Sequence, residues 1–372
     1  MLLRQNDLII DMGAIRHNYR ILSDTMQKGA CVMPVVKANA YGHGMVEVAQ
    51  AVLSEGAAYL AVALVEEGIQ LREHGISAEI LVLGAAMEKA AEEAIRHDLT
   101  QTVFEPHMVQ VLDELASTIG KPAKVHIKLD TGMGRIGVQT DEEAVALAEA
   151  LRAAKHVKAT GIYTHFSDAD NPPQEGGMND YSHCQFNRFA QMKNHFPPGL
   201  LTHAANSALS LIAPEAHFHM VREGIALYGY PPVATTLPFR RALQWQSEVV
   251  HVKTVEKGTS IGYGRTFIAP DTMCIATVAV GYGDGYHRAG SNRAQMLVNG
   301  KRANVVGRIC MDQTMIDVTG IEQVNVGSPV VLIGKQGDEE IGADELAAWA
   351  GTISYEVLLA VTNRVPRFYS QE

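Results

Sequence analysis

The 372-residue sequence contains no run approaching the roughly 20 uninterrupted apolar residues of a membrane span. Basic residues are in short supply: 31 Lys and Arg face 41 Asp and Glu, for a formal charge of −10 at pH 7. A protein that tracks a phosphate backbone needs a basic face, so this balance argues against nucleic acid and favours small or neutral partners. There are only four cysteines, Cys31, Cys184, Cys274 and Cys310, and none sits in a CxxC spacing. They read as reduced thiols, neither a disulfide frame nor a zinc site. The N-terminal MLLRQNDLIIDMG turns polar at Gln5, Asn6 and Asp7 before any long apolar core, so no signal peptide and a cytoplasmic location are expected. What is present is ordinary globular usage, 47% apolar and 19% charged residues, not a disordered composition.

Up to about residue 235 one pattern repeats: a short apolar run, a polar or Gly-rich loop, then a helical stretch. The runs are VMPVVKANAYG (32–42), AYLAVALV (58–65), EILVLGA (79–85), TQTVFEP (100–106), KVHIKLDTGMG (124–134), KATGIYTHFS (158–167), LLTHAANS (200–207) and MVREGIALYG (220–229). Eight such units predict an α/β fold, a (β/α)8 TIM-like barrel. A doubly wound open sheet also alternates strand and helix, but the count of eight favours the barrel. After the Pro-rich PPVATTLP the texture changes to short β-branched runs between Gly and Asn turns, which predicts a C-terminal all-β domain. The expected domains are 1–235 and 236–372, the first residues packing with the second domain. One helical stretch, ADELAAWAGTISYEVLLAVT, follows the strands.

Barrel enzymes work at the carboxyl ends of their strands. There the sequence places Lys37 and Tyr41, then Lys128, Asp130 and Arg135, then His165, then His203 and Ser207, and finally Arg222, Gly224 and Tyr228. Lys37 closes the apolar PVVK. A lysine at such a position snorkels, pairs or reacts. The reactive reading is a desolvated amine that condenses with a carbonyl cofactor. On the eighth unit, the Gly224 and Ile225 amides beside Ser207 offer a phosphate cradle, where barrels often hold phosphate. A reactive lysine on the first strand with that cradle at the last ones fits pyridoxal 5′-phosphate (PLP) across the barrel mouth.

VKANAYGHG (36–44) resembles the pyridoxal-attachment signature of the alanine racemases. KLDTGMGRIG, THFSDAD, THAANSA, VREGIALYG, IGYGRTF, VGYGDGYHR, GRICMDQ, ISYEV and NRVPRFY resemble racemase segments in the same order, from about residue 9 to the end. The resemblance implies a fold-type III PLP barrel with a β domain, interconverting L- and D-alanine for peptidoglycan. It implies that Lys37 holds PLP and serves one face of the substrate. Tyr263 serves the other, linked through His165 to Arg222, which faces the pyridine nitrogen. It places Tyr41, Ser207, Gly224, Ile225 and Tyr355 on the cofactor, and Arg135, Tyr282, Met311 and Asp312 toward the substrate. Lys128 is a position that some members carry carbamylated. It also implies a homodimer whose β domains complete the partner's sites. From the residues alone, Tyr263 also reads as a plain turn aromatic, Met311 as core packing, and Arg222 as a structural partner of Glu223 or a phosphate. Rival readings are a metal hydrolase using the HxH at His217 and His219, a PLP decarboxylase, a non-catalytic PLP carrier, and a broader serine/alanine racemase. No metal is expected.

Overall fold

The structure, a computed structural model, describes residues 5–371. It divides into two compact units: residues 15–40 with 45–240, and a second made of the described residues up to Ala14, residues 41–44 and everything from Arg241 on.

β1 (Asn6–Asp11) belongs to the second unit. The next eight strands form the first: β2 (Cys31–Pro34), β3 (Tyr59–Val62), β4 (Glu79–Ala85), β5 (Thr100–Val103), β6 (Ala123–Lys128), β7 (Val157–Tyr163), β8 (Leu201–His203) and β9 (Met220–Glu223). They run parallel in the order β2-β9-β8-β7-β6-β5-β4-β3. Val35, just past β2, bridges Ala61 of β3, and Val36 N–H donates to Ala61 O at 2.8 Å, which closes the sheet into a barrel. Each of the eight apolar runs contains one of these strands, so the expected α/β barrel is what forms.

The outer helices follow from their spacing. In Pro106–Ile119, Met108, Leu112 and Ala116 lie on one face and are buried in a cluster with Ala91, Ile95, Val103 and Val125. Pro106 starts the helix with a preset φ, and Gly120 (φ 76°) ends it in the left-handed region. Truncating Leu112, which has no exposed surface, to alanine costs about 2–5 kcal/mol.

The second unit is built on β10 (Leu243–Val255), whose alternate residues Leu243, Trp245, Ser247 and Val249 are buried. β11 (Ser260–Ile261) and β12 (Phe267–Ile268) make a separate small hairpin. The remaining strands are β13 (Met273–Val278), β14 (Gln295–Val298), β15 (Lys301–Val305), β16 (Thr314–Asp317), β17 (Pro329–Gln336), β18 (Glu339–Ile341) and β19 (Arg367–Ser370). The sheet order is β18-β17-β14-β15-β16-β13-β10-β1-β19, with β17 pairing β10 as well. β1 joins it antiparallel to β10 (Leu8↔Trp245) and parallel to β19. The single helical stretch read from the sequence forms two helices, Ala343–Ala350 and Ser354–Ala360, because Gly351 takes a left-handed cap at φ 73°. No helix among the described residues is long and apolar enough to cross a membrane.

Candidate active site

The interior of the barrel holds a polar column. β6 alternates so that Lys124, His126 and Lys128 share one face. His126 Nδ1 lies 2.9 Å from His203 Nε2, and His203 Nδ1 lies 3.0 Å from Arg222 Nη1. Arg222 Nη2 reaches Thr164 O (2.9 Å), Ala204 O (2.9 Å) and His165 Nδ1 (3.1 Å). The Tyr163 ring stacks on His203 at 4.7 Å and lies under both Arg222 and Lys128. Its hydroxyl is 2.8 Å from Thr102 Oγ1.

Burial and the Arg222 charge together hold the three imidazoles neutral. Desolvation is the main cause for each, and it pushes His126 down to about 3 and His165 and His203 well below the ordinary value. Burial also lowers Arg222, to about 10, which leaves it a cation at neutral pH. Glu223 is not its partner; that neighbour faces the opposite side of β9.

At the end of β2 the backbone does something unusual. Residues 38–41 are all non-glycine and all left-handed, with φ of 50°, 53°, 53° and 53°. Each such residue costs on the order of 1–2 kcal/mol, so the turn needs outside support. The Glu67 carboxylate supplies part of it, accepting N–H bonds from Ala38 (2.6 Å), Ala63 (2.7 Å) and Leu64 (3.1 Å). Asn39 Oδ1 takes the Met45 N–H at 2.9 Å. In the second unit, a Cβ on Gly42 would sit 2.5 Å from Leu358 O, so only glycine fits there. The turn presents Lys37 half-buried. Its amine is lowered by burial first, then by Arg135; Glu67 offsets this in part and Arg222 adds to it.

Lys128 ends β6 almost fully buried, and its Nζ donates to Leu129 O at 2.7 Å. Burial drives its amine to about 7, against the pull of Asp130. Asp130 Oδ1 accepts the N–H groups of Gly132 (3.1 Å), Met133 (2.8 Å) and Gly134 (3.0 Å), which shapes the loop that carries the exposed Arg135. At the end of β9, Ser207 Oγ accepts the Gly224 N–H at 3.0 Å and the Ala226 N–H at 3.5 Å. Ser207, one strand away, thus sits against the amide read as a phosphate donor. Ile225 follows it, buried.

The barrel unit thus gathers Lys37, Lys128, Arg135, His165, Ser207, Arg222, Gly224 and Ile225 around the strand ends. The other named residues lie in the second unit. There the rings of Tyr41 and Tyr355 meet at 6.0 Å. Tyr282 N–H donates to Cys310 O (3.0 Å) and Gly283 N–H to Met311 O (2.8 Å), which holds Tyr282, Met311 and Asp312 in adjoining turns; Asp312 pairs Arg364 at 2.8 Å. Met311 is 53% exposed, so it is not core packing. Tyr263 stands 71% exposed in a turn between Gly262 (φ 71°) and Gly264 (φ 70°). His217 and His219 spend their rings on backbone groups, His217 Nε2 on Ser210 O and His219 Nδ1 on Thr202 N–H.

Four contributors escaped sequence reading: His126, Tyr163, Glu67 and the link made by His203. The signal for His126 was there, two residues before Lys128 on the same strand face. Glu67 sits in an unremarkable acidic helix start and carried none.

The alanine racemase N-terminal domain family matches residues 10–232, and the alanine racemase C-terminal domain family residues 242–369. An alanine racemase of Symbiobacterium thermophilum is 46% identical over 370 residues, covering 98% of this chain and 96% of that protein. A crystal structure of the Bacillus anthracis alanine racemase with bound L-Ala-P superposes at a TM-score of 0.92 with 36% identity, covering 100% of this chain and 96% of that one. Another, of the Bartonella henselae alanine racemase with covalently bound pyridoxal phosphate, superposes at 0.90 with 26% identity, covering 98% and 99%. The chain belongs to the alanine racemase family.

Proposed function

We propose that the protein interconverts L- and D-alanine with PLP held on Lys37, as a homodimer in the cytoplasm, and so supplies D-alanine for peptidoglycan. The observation that carries this is Lys37 itself: an amine lowered by burial and by Arg135 and Arg222, presented by a strained left-handed turn. A neutral amine is the form that condenses with an aldehyde. The donors around it suit the rest of the cofactor. Ser207 and the Gly224–Ile225 turn would hold the phosphate, with Tyr41 and Tyr355 on that side, and Arg222 would face the pyridine nitrogen. When bound, PLP withdraws electrons from the substrate and makes its Cα proton acidic. Arg222 has no proton to release near neutral pH, so it leaves that nitrogen an acceptor and restrains the electron withdrawal. That restraint favours reprotonation at Cα over loss of the amino group.

Racemisation needs a proton acceptor and donor on each face. Lys37 serves one and Tyr263 the other. Because Arg222 can only donate, His165 must accept at Nδ1, so its proton is on Nε2. A neutral Nε2–H donor stabilises a tyrosine phenolate, the form Tyr263 needs to take a proton. Arg135, with Met311 and Asp312, positions the substrate carboxylate, and Tyr282 lines the approach. Lys128, its amine lowered to about 7 by burial against the pull of Asp130, is the position that would carry a carbamate, formed with carbon dioxide and release of a proton, and a carbamate there would offer Arg135 an anion. Tyr263, Tyr282 and Met311 come from the partner subunit in a two-fold dimer.

The test is direct. The purified protein should be yellow, form D-alanine from L-alanine, and, after borohydride reduction, carry the cofactor on the Lys37 peptide. Cofactor fixed on another lysine, or no D-alanine, overturns the proposal.

A further inference from the structure

His126 takes no part in the reaction above, yet it is only 3% exposed in the middle of the barrel. A buried imidazole with no role is expensive unless its nitrogens are used. The column fixes how they are used. Arg222 Nη1 can only donate, so His203 Nδ1 accepts and the His203 proton sits on Nε2. That Nε2–H can then go only to His126 Nδ1, 2.9 Å away, which leaves the His126 proton on its own Nε2. The direction is set at the arginine, and each imidazole turns its acceptor toward it. At the far end, His126 lines a cavity of about 180 Å³ with Tyr59, Thr100, Lys124 and Thr160. Opposite the ring stands Gly161, where a Cβ would lie 2.5–2.7 Å from Nε2, Cε1 and Cδ2. Its φ is not left-handed, so glycine there serves the ring rather than the backbone.

We infer that His126 is a positioning residue: by accepting the His203 Nε2–H it holds His203, and through it the Arg222 guanidinium that also binds His165. Without that acceptor His203 keeps a buried donor with no partner, and the shortest relief is a ring rotation that releases Arg222 Nη1. The consequence for racemisation rests on the reading of Arg222 and His165 given above; the column itself does not.

Two measurements separate these. In the intact protein with ¹⁵N-labelled histidine, His126 and His203 should each appear neutral and protonated on Nε2 between about pH 6 and pH 8. A proton on His203 Nδ1, or a charged His126, overturns the column whatever the enzyme does. In kinetics, His126→Leu removes the acceptor and His126→Asn keeps one. Per PLP-loaded site, His126→Leu should lose about ten-fold or more in kcat with little change in KM, and its visible PLP absorption should shift. His126→Asn should stay within about three-fold of wild type on both. Gly161→Ala, which presses on the same ring, should resemble His126→Leu and provides the test if that variant does not fold. Wild-type kcat and spectrum in the folded His126→Leu or Gly161→Ala protein overturn the inference. An inactive wild type with the expected ¹⁵N pattern would instead sink the racemase reading and leave the column standing.

Discussion

Arg222 is 4% exposed and touches two imidazoles and two carbonyls; Tyr263 is 71% exposed in a glycine-flanked turn. Tyr282 and Met311, at 41% and 53%, share the second pattern. The barrel unit therefore fixes the protonation state of its groups inside one chain, by burial and by a donor-only arginine at the centre. The second unit presents large side chains to the outside. Exposed aromatic and apolar groups on a rigid turn are what a surface offers to something that will cover them. On the proposed function this difference becomes a division of labour: the barrel would set the electrostatics that hold cofactor and substrate, and the β-rich unit would bring the second proton carrier.

Lys37→Ala breaks that comparison most severely. It should abolish racemisation in both directions and the yellow colour, since nothing in the β-rich unit replaces the amine. Activity of the colourless variant near the wild-type level would show that the barrel is not the cofactor unit. Tyr263→Phe should act on one face only: exchange of the L-alanine Cα proton in deuterated water stops, while exchange from D-alanine through Lys37 partly survives. Equal loss from both enantiomers would contradict the assignment of one face to each unit.

A gentler effect comes from mixing. Lys37→Ala and Tyr263→Ala chains, each nearly inactive, are refolded together. Random pairing makes half of the dimers mixed, each with one intact site, so activity returns to about a quarter of wild type. A mixture that stays inactive, with mixed dimers confirmed by mass, places both residues in the same chain's site.

The two units were also unequally legible. Eight apolar runs with helical stretches between them sufficed to predict the barrel, because strand and helix periods differ and the count closes the sheet. Lys37 stood out because a lysine is costly at the end of PVVK. In the second unit, Tyr263, Tyr282 and Met311 carry no local signal that separates them from turn aromatics and core; only the resemblance singled them out. The split of the last helical stretch rests on one glycine, Gly351, which caps the first of the two helices. The left-handed turn at 38–41 was not legible either, since alanine and tyrosine do not announce positive φ and the single Asn39 does not announce a run of four. Its supports, Glu67 and Asn39, act through backbone N–H groups brought close only by the fold.

The smallest effect sharpens the contrast within a single strand. On β9, Arg222 faces the interior with four partners, and Glu223 beside it faces the other way. Glu223 is fully buried, with no charged partner among the described residues and only the Ser210 and Ser207 hydroxyls beside its carboxylate. Burial pushes its carboxyl up to about 7, and the nearby Ser210 and Ser207 hydroxyls offset only part of that. An unfolded chain releases this proton near 4.5, the ordinary carboxyl value, while the folded chain keeps it to about 7. The folded state thus binds the extra proton between those values. Its stability contribution is complete below about 4.5 and lost as pH rises to about 7, a decline of about 3 kcal/mol. Glu223→Gln is nearly isosteric and cannot titrate. It should leave racemisation at neutral pH unchanged and flatten the fall in stability, so that urea midpoints of variant and wild type converge near pH 4.5 and separate by pH 8, the variant higher. Parallel midpoints across that range would mean that Glu223 is charged in the folded barrel and has a partner there.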